Sequence, residues 1–354
     1  MLTPIGVLFG TRPEYLKCKP LFQAFDTYQI PYRILHVKQH KDLEVEESIK
    51  NNYKCIDIDS PLPILRLNEL ASNLPKFLEP AMSDCKSILV QGDTATAFFG
   101  CLTAFHLRLP IFHLEAGLRT YDLENPFPEE AYRSMISRLA TYHLCPDSGA
   151  VKNLQKENIV SNIFLVGNTI LDLVKSYSFT PQIGNRVLIT VHRRENWNMM
   201  KEIAESIRAL AMKHTHLYFD WILHPNPSLS NVVYQYFQGH APVPNLCLLR
   251  PLCHKELAQK IFDCYCVITD SGGIQEEASF AGKFIFVLRK ATERTAIPSN
   301  YIELVETPST LLSSFQQFQP ILMEACTAYG RGDTSCQIAD LLRNLSAKKG
   351  ESPE

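Results

Sequence analysis

A carboxylate that ends an apolar run is costly unless it is paired or put to use, and Glu115 stands there in PIFHLEAG, residues 110–117. Asp93 in QGDT and Glu129 in PFPEE have a related setting, each where a helix should begin. Taken singly, Asp93 reads as an N-cap and Glu130, beside Glu129, as a surface cap. Taken as a set, three acids in the first half of the chain could move protons at carbon. The opening cluster, Gly10 to Lys17 in GTRPEYLK, adds Arg12 and Lys17 to them. Gly10 permits a tight turn, Pro13 suits the first turn of a helix, and the two cations can reach an anion at the helix start.

The second half of the chain carries anion binders. Val191-His192-Arg193-Arg194-Glu195-Asn196 puts a histidine and two arginines on one loop, where arginine is the bidentate donor for a diphosphate. His224-Pro225-Asn226 follows the next strand in the same manner, and a structural histidine is the competing reading of His224. Asp270-Ser271-Gly272-Gly273-Ile274-Gln275-Glu276-Glu277 reads as strand, glycine turn, helix. That arrangement cradles phosphate on backbone N–H groups, with acids placed for ribose hydroxyls. It is neither a Walker sequence nor the Gly-x-Gly-x-x-Gly dinucleotide fingerprint, so nicotinamide chemistry has no support. No metal-ligand spacing and no Gly-x-Ser-x-Gly elbow occurs, so neither a metal nor a redox cofactor is expected.

The elements that must position these groups follow from an alternating pattern. Strand-like runs are Ile5–Gly10, Arg33–Val37, Ser87–Gln91, Ile111–Leu114, Tyr142–Cys145 and Ile163–Val166 in the first half. In the second they are Val187–Val191, Leu217–His224, Leu246–Leu249, Cys266–Thr269 and Phe284–Leu288. Helical spacing fills most gaps, as with Ile203, Ile207, Leu210 and Ala211. Strands alternating with helices predict an α/β fold with parallel, doubly wound sheets whose ligands bind at the carboxyl ends of the strands. A Ser-, Pro- and Gly-containing break at Ser176–Arg186 predicts two Rossmann-like domains, 1–176 and 177–346, facing each other across a cleft, with a flexible tail at 347–354.

Composition narrows the partners. Thirty-five basic and 37 acidic side chains leave a net charge of −2, without the broad positive field that nucleic acid or anionic lipid would need. No apolar stretch is long enough for a signal peptide or a membrane span. Eleven cysteines, scattered through apolar segments without a Cys-x-x-Cys pair, predict buried free thiols and a reducing, cytoplasmic location.

In order along residues 5–345, GTRPEYLK, QGDTATA, HLEAGLRT, PFPEE, VHRREN, TDSGGIQEEA and AYGRGD resemble the motif series of the non-hydrolysing UDP-N-acetylglucosamine 2-epimerases. The resemblance implies a fold of the GT-B type, a UDP-sugar substrate, a homodimer and no cofactor. It implies reversible conversion of UDP-GlcNAc to UDP-ManNAc through loss of UDP, a 2-acetamidoglucal intermediate and readdition with inverted C2. It assigns catalysis to Asp93, Glu115 and Glu129, with His192 on the diphosphate. Arg12 and Lys17 match the family's basic pair, Ser271 and Gly272 its phosphate cradle, and Glu277 the acid on the ribose. Arg119, Arg133, Arg193, Arg194, His224, Gly273 and Arg294 complete the substrate-binding set, and Gln39-His40 resembles part of an allosteric site.

This chain departs from the pattern in places. Family members usually carry Thr-Glu-Arg-Pro-Glu where it has Thr292-Glu293-Arg294-Thr295-Ala296. Leu257 stands where an aromatic often stacks on uracil, and an arginine expected near Asn73 is absent. Sugar, base and allostery are therefore less constrained than reaction class. A 2-epimerase of a 6-deoxy or 3-acetamido UDP-sugar, a GT-B glycosyltransferase, a hydrolysing epimerase and a catalytically dead nucleotide-sugar sensor stay open.

Overall fold

The structure, a computed structural model, describes residues 3–38, 53–56 and 66–350. The chain divides between Leu173 and Val174 into two units. Unit 2 is Val174–Ala328, and unit 1 takes the described residues before it together with those from Tyr329 onward.

Unit 1 is a seven-stranded sheet of β1 (Ile5–Phe9), β2 (Tyr32–Val37), β3 (Tyr53–Ile56), β4 (Ser87–Gln91), β5 (Ile111–Leu114), β6 (Tyr142–Cys145) and β7 (Ile163–Leu165). The order is β3-β2-β1-β4-β5-β6-β7, and every neighbouring pair is parallel. β1, β4 and β5 are buried along their whole length, which is why they read as continuous apolar runs rather than alternations. Side chains still leave β1 on alternate faces. Ile5, Val7 and Phe9 pack with helix α1 (Arg12–Thr27), while Leu8 packs on the other face with helix α2 (Arg66–Met82) and helix α3 (Ala95–His106).

Unit 2 is a six-stranded parallel sheet in the order β10-β9-β8-β11-β12-β13. Its strands are β8 (Arg186–Thr190), β9 (Tyr218–Ile222), β10 (Leu246–Leu249), β11 (Cys266–Thr269), β12 (Ile285–Val287) and β13 (Ile302–Leu304). Val187 and Ile189 face one core and Leu188 the other. The doubly wound parallel α/β prediction is therefore met in both units. β3 and β13 were not anticipated. Both lie at sheet edges, and their sequences YKCI and IEL lack the apolar run by which buried strands are recognised.

In each sheet the strand order reverses at one place, between β1 and β4 in unit 1 and between β8 and β11 in unit 2. The crossovers leave in opposite directions there, which opens a crevice at the carboxyl ends of those strands. GTRPE and QGDT follow β1 and β4; VHRREN and DSGG follow β8 and β11.

Two expectations need correcting. The segment from Tyr329 to residue 346, assigned by sequence to the second domain, belongs to unit 1. Asp172 on helix α6 (Ile170–Ser176) accepts the backbone N–H groups of Thr334 (3.1 Å) and Ser335 (2.7 Å). These donors open helix α12 (Thr334–Gly350), which lays Ile338, Ala339 and Leu342 into the core beside α1. The AYGRGD segment takes part in that docking, because the Asn168 N–H donates to the Tyr329 carbonyl at 2.6 Å. The helix also runs to Gly350, into the stretch expected as a loose tail, and residues 351–354 lie outside the described residues.

The second correction concerns the thiols. All eleven cysteines are free, but Cys55, Cys247, Cys253 and Cys336 are exposed, against the expectation of burial. Cys247 sits on β10, an edge strand of the unit 2 sheet, where apolar sequence does not guarantee cover. Among the described residues, no helix is long and apolar enough to cross a membrane.

Candidate active site

In unit 1 two of the three acids, Glu115 and Asp93, are fastened by neighbours that the strand order brings together. Glu115 follows β5 with φ at +68°, a left-handed conformation that costs a side-chain-bearing residue of the order of 1 kcal/mol or more. Its Oε2 is held by the Lys17 ammonium and accepts the Gln91 amide N–H at 2.5 Å. Lys17 comes from α1, Gln91 from the end of β4, and a Cβ added to Gly92 would stand 3.9 Å from the Glu115 carboxylate. Two segments far apart in sequence thus converge on one acid at the end of a buried strand. The anion Lys17 reaches is internal, rather than at the start of its own helix.

Asp93 lies in the turn after β4 and pairs with the guanidinium of Arg133. Arg133 is on helix α4 (Glu129–Leu139), one turn from Glu129, so α4 ties the second and third acids to a common place. Glu129 itself is half-buried and makes no hydrogen bond or ion pair with a described residue. Arg12 is exposed at the first position of α1.

Glu130 is not a surface cap. Its carboxylate is buried and accepts the backbone N–H groups of Thr120 (3.0 Å) and Tyr121 (2.9 Å), closing the loop after HLEAGL. Arg119, expected to bind substrate, is also occupied within unit 1. Its Nε and Nη2 donate to Glu157 at 2.7 and 3.1 Å, Nη2 to Ser137 at 2.8 Å and Nη1 to the Leu118 carbonyl at 2.8 Å. With its side chain 1% exposed, that guanidinium has no face left for a ligand.

Sequence reasoning passed over Glu14 as a site residue. Its buried carboxylate accepts Gly10 N–H (2.9 Å), Thr11 N–H (2.7 Å), Thr11 Oγ1–H (2.8 Å) and Thr94 Oγ1–H (2.5 Å), joining the turns after β1 and β4. Burial pushes its carboxyl upward, and the four donors pull against that. The Thr-x-x-Glu spacing of a capping box was the available signal.

In unit 2 the organising group is Asp270, which is fully buried. Its carboxylate accepts the backbone N–H of His192 (2.9 Å) and of Arg193 (2.9 Å), and the side-chain amide of Asn196 (2.8 Å). The loop after β8 is thereby moored to the end of β11. The His192 ring lies 5.2 Å from that of His224, whose Nδ1 accepts the Asn226 N–H at 2.9 Å. Burial lowers the His192 imidazole below its ordinary value; the Asp270 carboxylate opposes this, and His224 adds to it. Burial also lowers His224, against Asp270.

Helix α10 (Gly272–Phe280) starts after Ser271. A Cβ on Gly272 would approach Glu293 Oε1 to 2.9 Å and Arg294 Cζ to 3.2 Å, so only glycine lets these side chains come this close to the helix start. A Cβ on Gly273 would meet nothing within 4 Å. Glu293 gathers three guanidiniums: Arg193 (2.8 Å), Arg289 (2.5 Å) and, more distantly, Arg294 (3.8 Å). Burial would raise its carboxyl, but Arg294, Arg193 and Arg289 together hold it well below the usual carboxylate range. Arg294 also pairs with Glu276, whereas Glu277 stands 3.1 Å from His254 Nε2. Arg289 and Glu293 were not singled out by sequence, because their meaning lies in partners up to 100 residues away.

The Arg194 side chain, together with Gln39 and His40, lies outside the described residues. In sum, unit 1 collects Lys17, Asp93, Glu115 and Arg133, and unit 2 collects His192, Arg193, His224, Ser271, Gly272 and Arg294. Carboxylates suited to proton transfer thus lie on one scaffold, and a cationic, glycine-opened helix start suited to an anion lies on the other.

The model of the UDP-N-acetylglucosamine 2-epimerase family matches residues 24–343. The UDP-N-acetylglucosamine 2-epimerase of Salmonella typhimurium is 32% identical, the alignment covering 95% of this chain and 97% of that protein. Among solved structures, UDP-GlcNAc 2-epimerase from Neisseria meningitidis bound to UDP-GlcNAc superposes with a TM-score of 0.84 at 29% identity, over 96% of this chain and 100% of that one. The S. aureus MnaA–UDP co-structure gives a TM-score of 0.84 at 28% identity, over 100% and 99% of the two chains. The two-domain architecture is of the GT-B type. With the family model spanning nearly its whole length, this chain belongs to the UDP-N-acetylglucosamine 2-epimerases, enzymes of the isomerase class.

Proposed function

We propose that the protein interconverts UDP-GlcNAc and UDP-ManNAc by elimination and readdition of UDP. The observation that carries this reading is Glu115: a carboxylate in left-handed backbone at the end of a buried strand, held by Lys17 and Gln91. Such strain persists where surrounding contacts over-determine it, as they do at working sites. The ligands named for the Neisseria and S. aureus structures, UDP-GlcNAc and UDP, support the substrate class.

In the forward direction one carboxylate removes the C2 proton of the hexose. The electron pair forms the C1–C2 double bond, and the C1–O bond to UDP breaks. The C2 proton is weakly acidic, so the leaving diphosphate must already be stabilised. His192, Arg193, Arg194, Arg294, Ser271 and the N–H groups of Gly272 and Gly273 take that role, while Glu277 accepts hydrogen bonds from the ribose hydroxyls. A second carboxylate then protonates C2 from the other face and a β-phosphate oxygen returns to C1. Asp93, Glu115 and Glu129 share these two duties, each contributing on the order of 10²–10⁴-fold. No redox change occurs, so the scheme needs no cofactor.

Incubating the protein with UDP-GlcNAc in D₂O tests it. Deuterium at C2 of both UDP-linked sugars is the expected result. Free ManNAc with stoichiometric UDP would replace this reading with hydrolysis, and no exchange would replace it with transfer or sensing. Because Thr295-Ala296 stand where the family usually has proline and glutamate, 6-deoxy and 3-acetamido UDP-sugars belong in the same assay. Faster exchange with one of those would reassign the sugar and leave the chemistry standing.

A further inference from the structure

We infer that His254 is a positioning residue that sets the carboxylate of Glu277 for ribose recognition, with Tyr177 holding the histidine's second nitrogen; this rests on the assignment of Glu277 to ribose made above. The three side chains form a chain of hydrogen bonds within unit 2. His254 Nε2 stands 3.1 Å from Glu277 Oε2, and Tyr177 Oη stands 3.0 Å from His254 Nδ1.

The direction of each bond follows from what each group can do. A carboxylate only accepts, so Nε2 must carry the proton and donate. In a neutral imidazole Nδ1 is then an acceptor, and the Tyr177 hydroxyl donates to it. Tyr177 thereby satisfies the second nitrogen in the tautomer that the Glu277 carboxylate requires. A ligating or reactive histidine is oriented through its second nitrogen in the same way.

The surroundings make the arrangement rigid. The side chains of His254 and Glu277 are 9% and 7% exposed. His254 is the first residue of helix α9 (His254–Asp263), and Glu277 lies on α10 within DSGGIQEE. Tyr177 packs on Phe179 at 5.5 Å between ring centroids, and Phe179 packs edge-on against Phe262 of α9. The Lys255 ammonium sits 6.0 Å above the Tyr177 ring. Glu277 Oε2 is thus engaged by an element other than its own, while Oε1 makes no hydrogen bond with a described residue. The carboxylate therefore has one oxygen anchored and one to offer. Glu276 cannot substitute, because it is paired with Arg294.

An acid fixed in this way should discriminate between a nucleotide that has a 2′-hydroxyl and one that lacks it, since a site built to bond a hydroxyl is left unpaired by the analogue. The experiment measures the affinities of UDP, 2′-deoxy-UDP and inorganic pyrophosphate by titration calorimetry in the full chain. Wild-type protein is expected to prefer UDP over 2′-deoxy-UDP by about tenfold or more, and Glu277→Gln to lose that preference. His254→Phe should cut the preference to about threefold or less with pyrophosphate affinity unchanged. His254→Gln, which restores an N–H near the Nε2 position, should recover most of it. Tyr177→Phe, farther from the nucleotide and close in shape, should reduce it partially and keeps the test open if His254→Phe does not fold. Equal binding of the two nucleotides by wild type, or undiminished preference in Glu277→Gln, would overturn the ribose assignment of Glu277. Loss in Glu277→Gln with full preference in His254→Phe and Tyr177→Phe would overturn the positioning role alone.

Discussion

The buried carboxylate of Asp270 accepts the backbone N–H of His192 at 2.9 Å, across 78 residues of sequence. One acid at the end of β11 therefore holds the loop at the end of β8, and His192 is placed through its main chain rather than its ring.

Asp270→Asn tests the mooring. Asparagine keeps the shape but offers an amide where the carboxylate accepts from His192, Arg193 and Asn196. UDP affinity should fall by roughly tenfold or more, and stability by about 1–3 kcal/mol for the unmet donors. His192→Ala should weaken UDP by about 1–3 kcal/mol, the scale of a lost charge-assisted bond. Wild-type affinity in calorimetric titrations of both variants would remove this loop from nucleotide binding.

Glu115→Gln keeps the size of the side chain but removes the charge that Lys17 holds. Deuterium incorporation at C2 should be nearly abolished while UDP titrates as in wild type. Turnover comparable to wild type would exclude Glu115 from proton transfer. Arg133→Met, which frees Asp93 from its partner, should lower the exchange rate with a smaller effect on UDP affinity.

Asp172→Ala should loosen the C-terminal helix. The side chain accepts two backbone N–H groups at the start of α12 and also the Ser335 hydroxyl at 2.5 Å. Losing them should cost about 1–3 kcal/mol in urea denaturation and expose the stretch near Tyr329 to limited proteolysis. A cleavage pattern and midpoint identical to wild type would mean that α12 docks without its cap.

Unit 1 should lose stability in mild acid because of three buried imidazoles. Burial lowers His113 to about 3 and His36 and His143 to about 4, and each shift is downward from an ordinary value near 6.5. The unfolded chain therefore binds protons that the folded one refuses. Stability from these groups is intact above about 6.5 and declines as pH falls toward 4, with up to about 1.4 kcal/mol per pH unit from each. Urea midpoints measured between pH 7 and 5 should show that slope, and His143→Asn should reduce it by one proton's share. A flat profile across the window would contradict neutral burial.

Much of this protein was legible in the order of its residues. Eleven strands, the alternation that makes both sheets parallel, and the location of the chemical clusters after strands follow from local period and turn chemistry, which short stretches encode by themselves. Edge strands β3 and β13 escaped because they bury too little to be written in apolar residues. The tertiary structure alone decided which charge meets which. Arg119 and Arg133 look alike in sequence, yet one is spent on Glu157 and Ser137 while the other stands on Asp93. Glu129 and Glu130 are adjacent, yet only the second is buried beneath a loop. The return of α12 to unit 1 likewise rests on Asp172, 162 residues before Thr334. Periodicity is a property of neighbours along the chain, whereas the partner of a guanidinium or carboxylate is set by strand order and helix docking, which no short stretch of sequence contains.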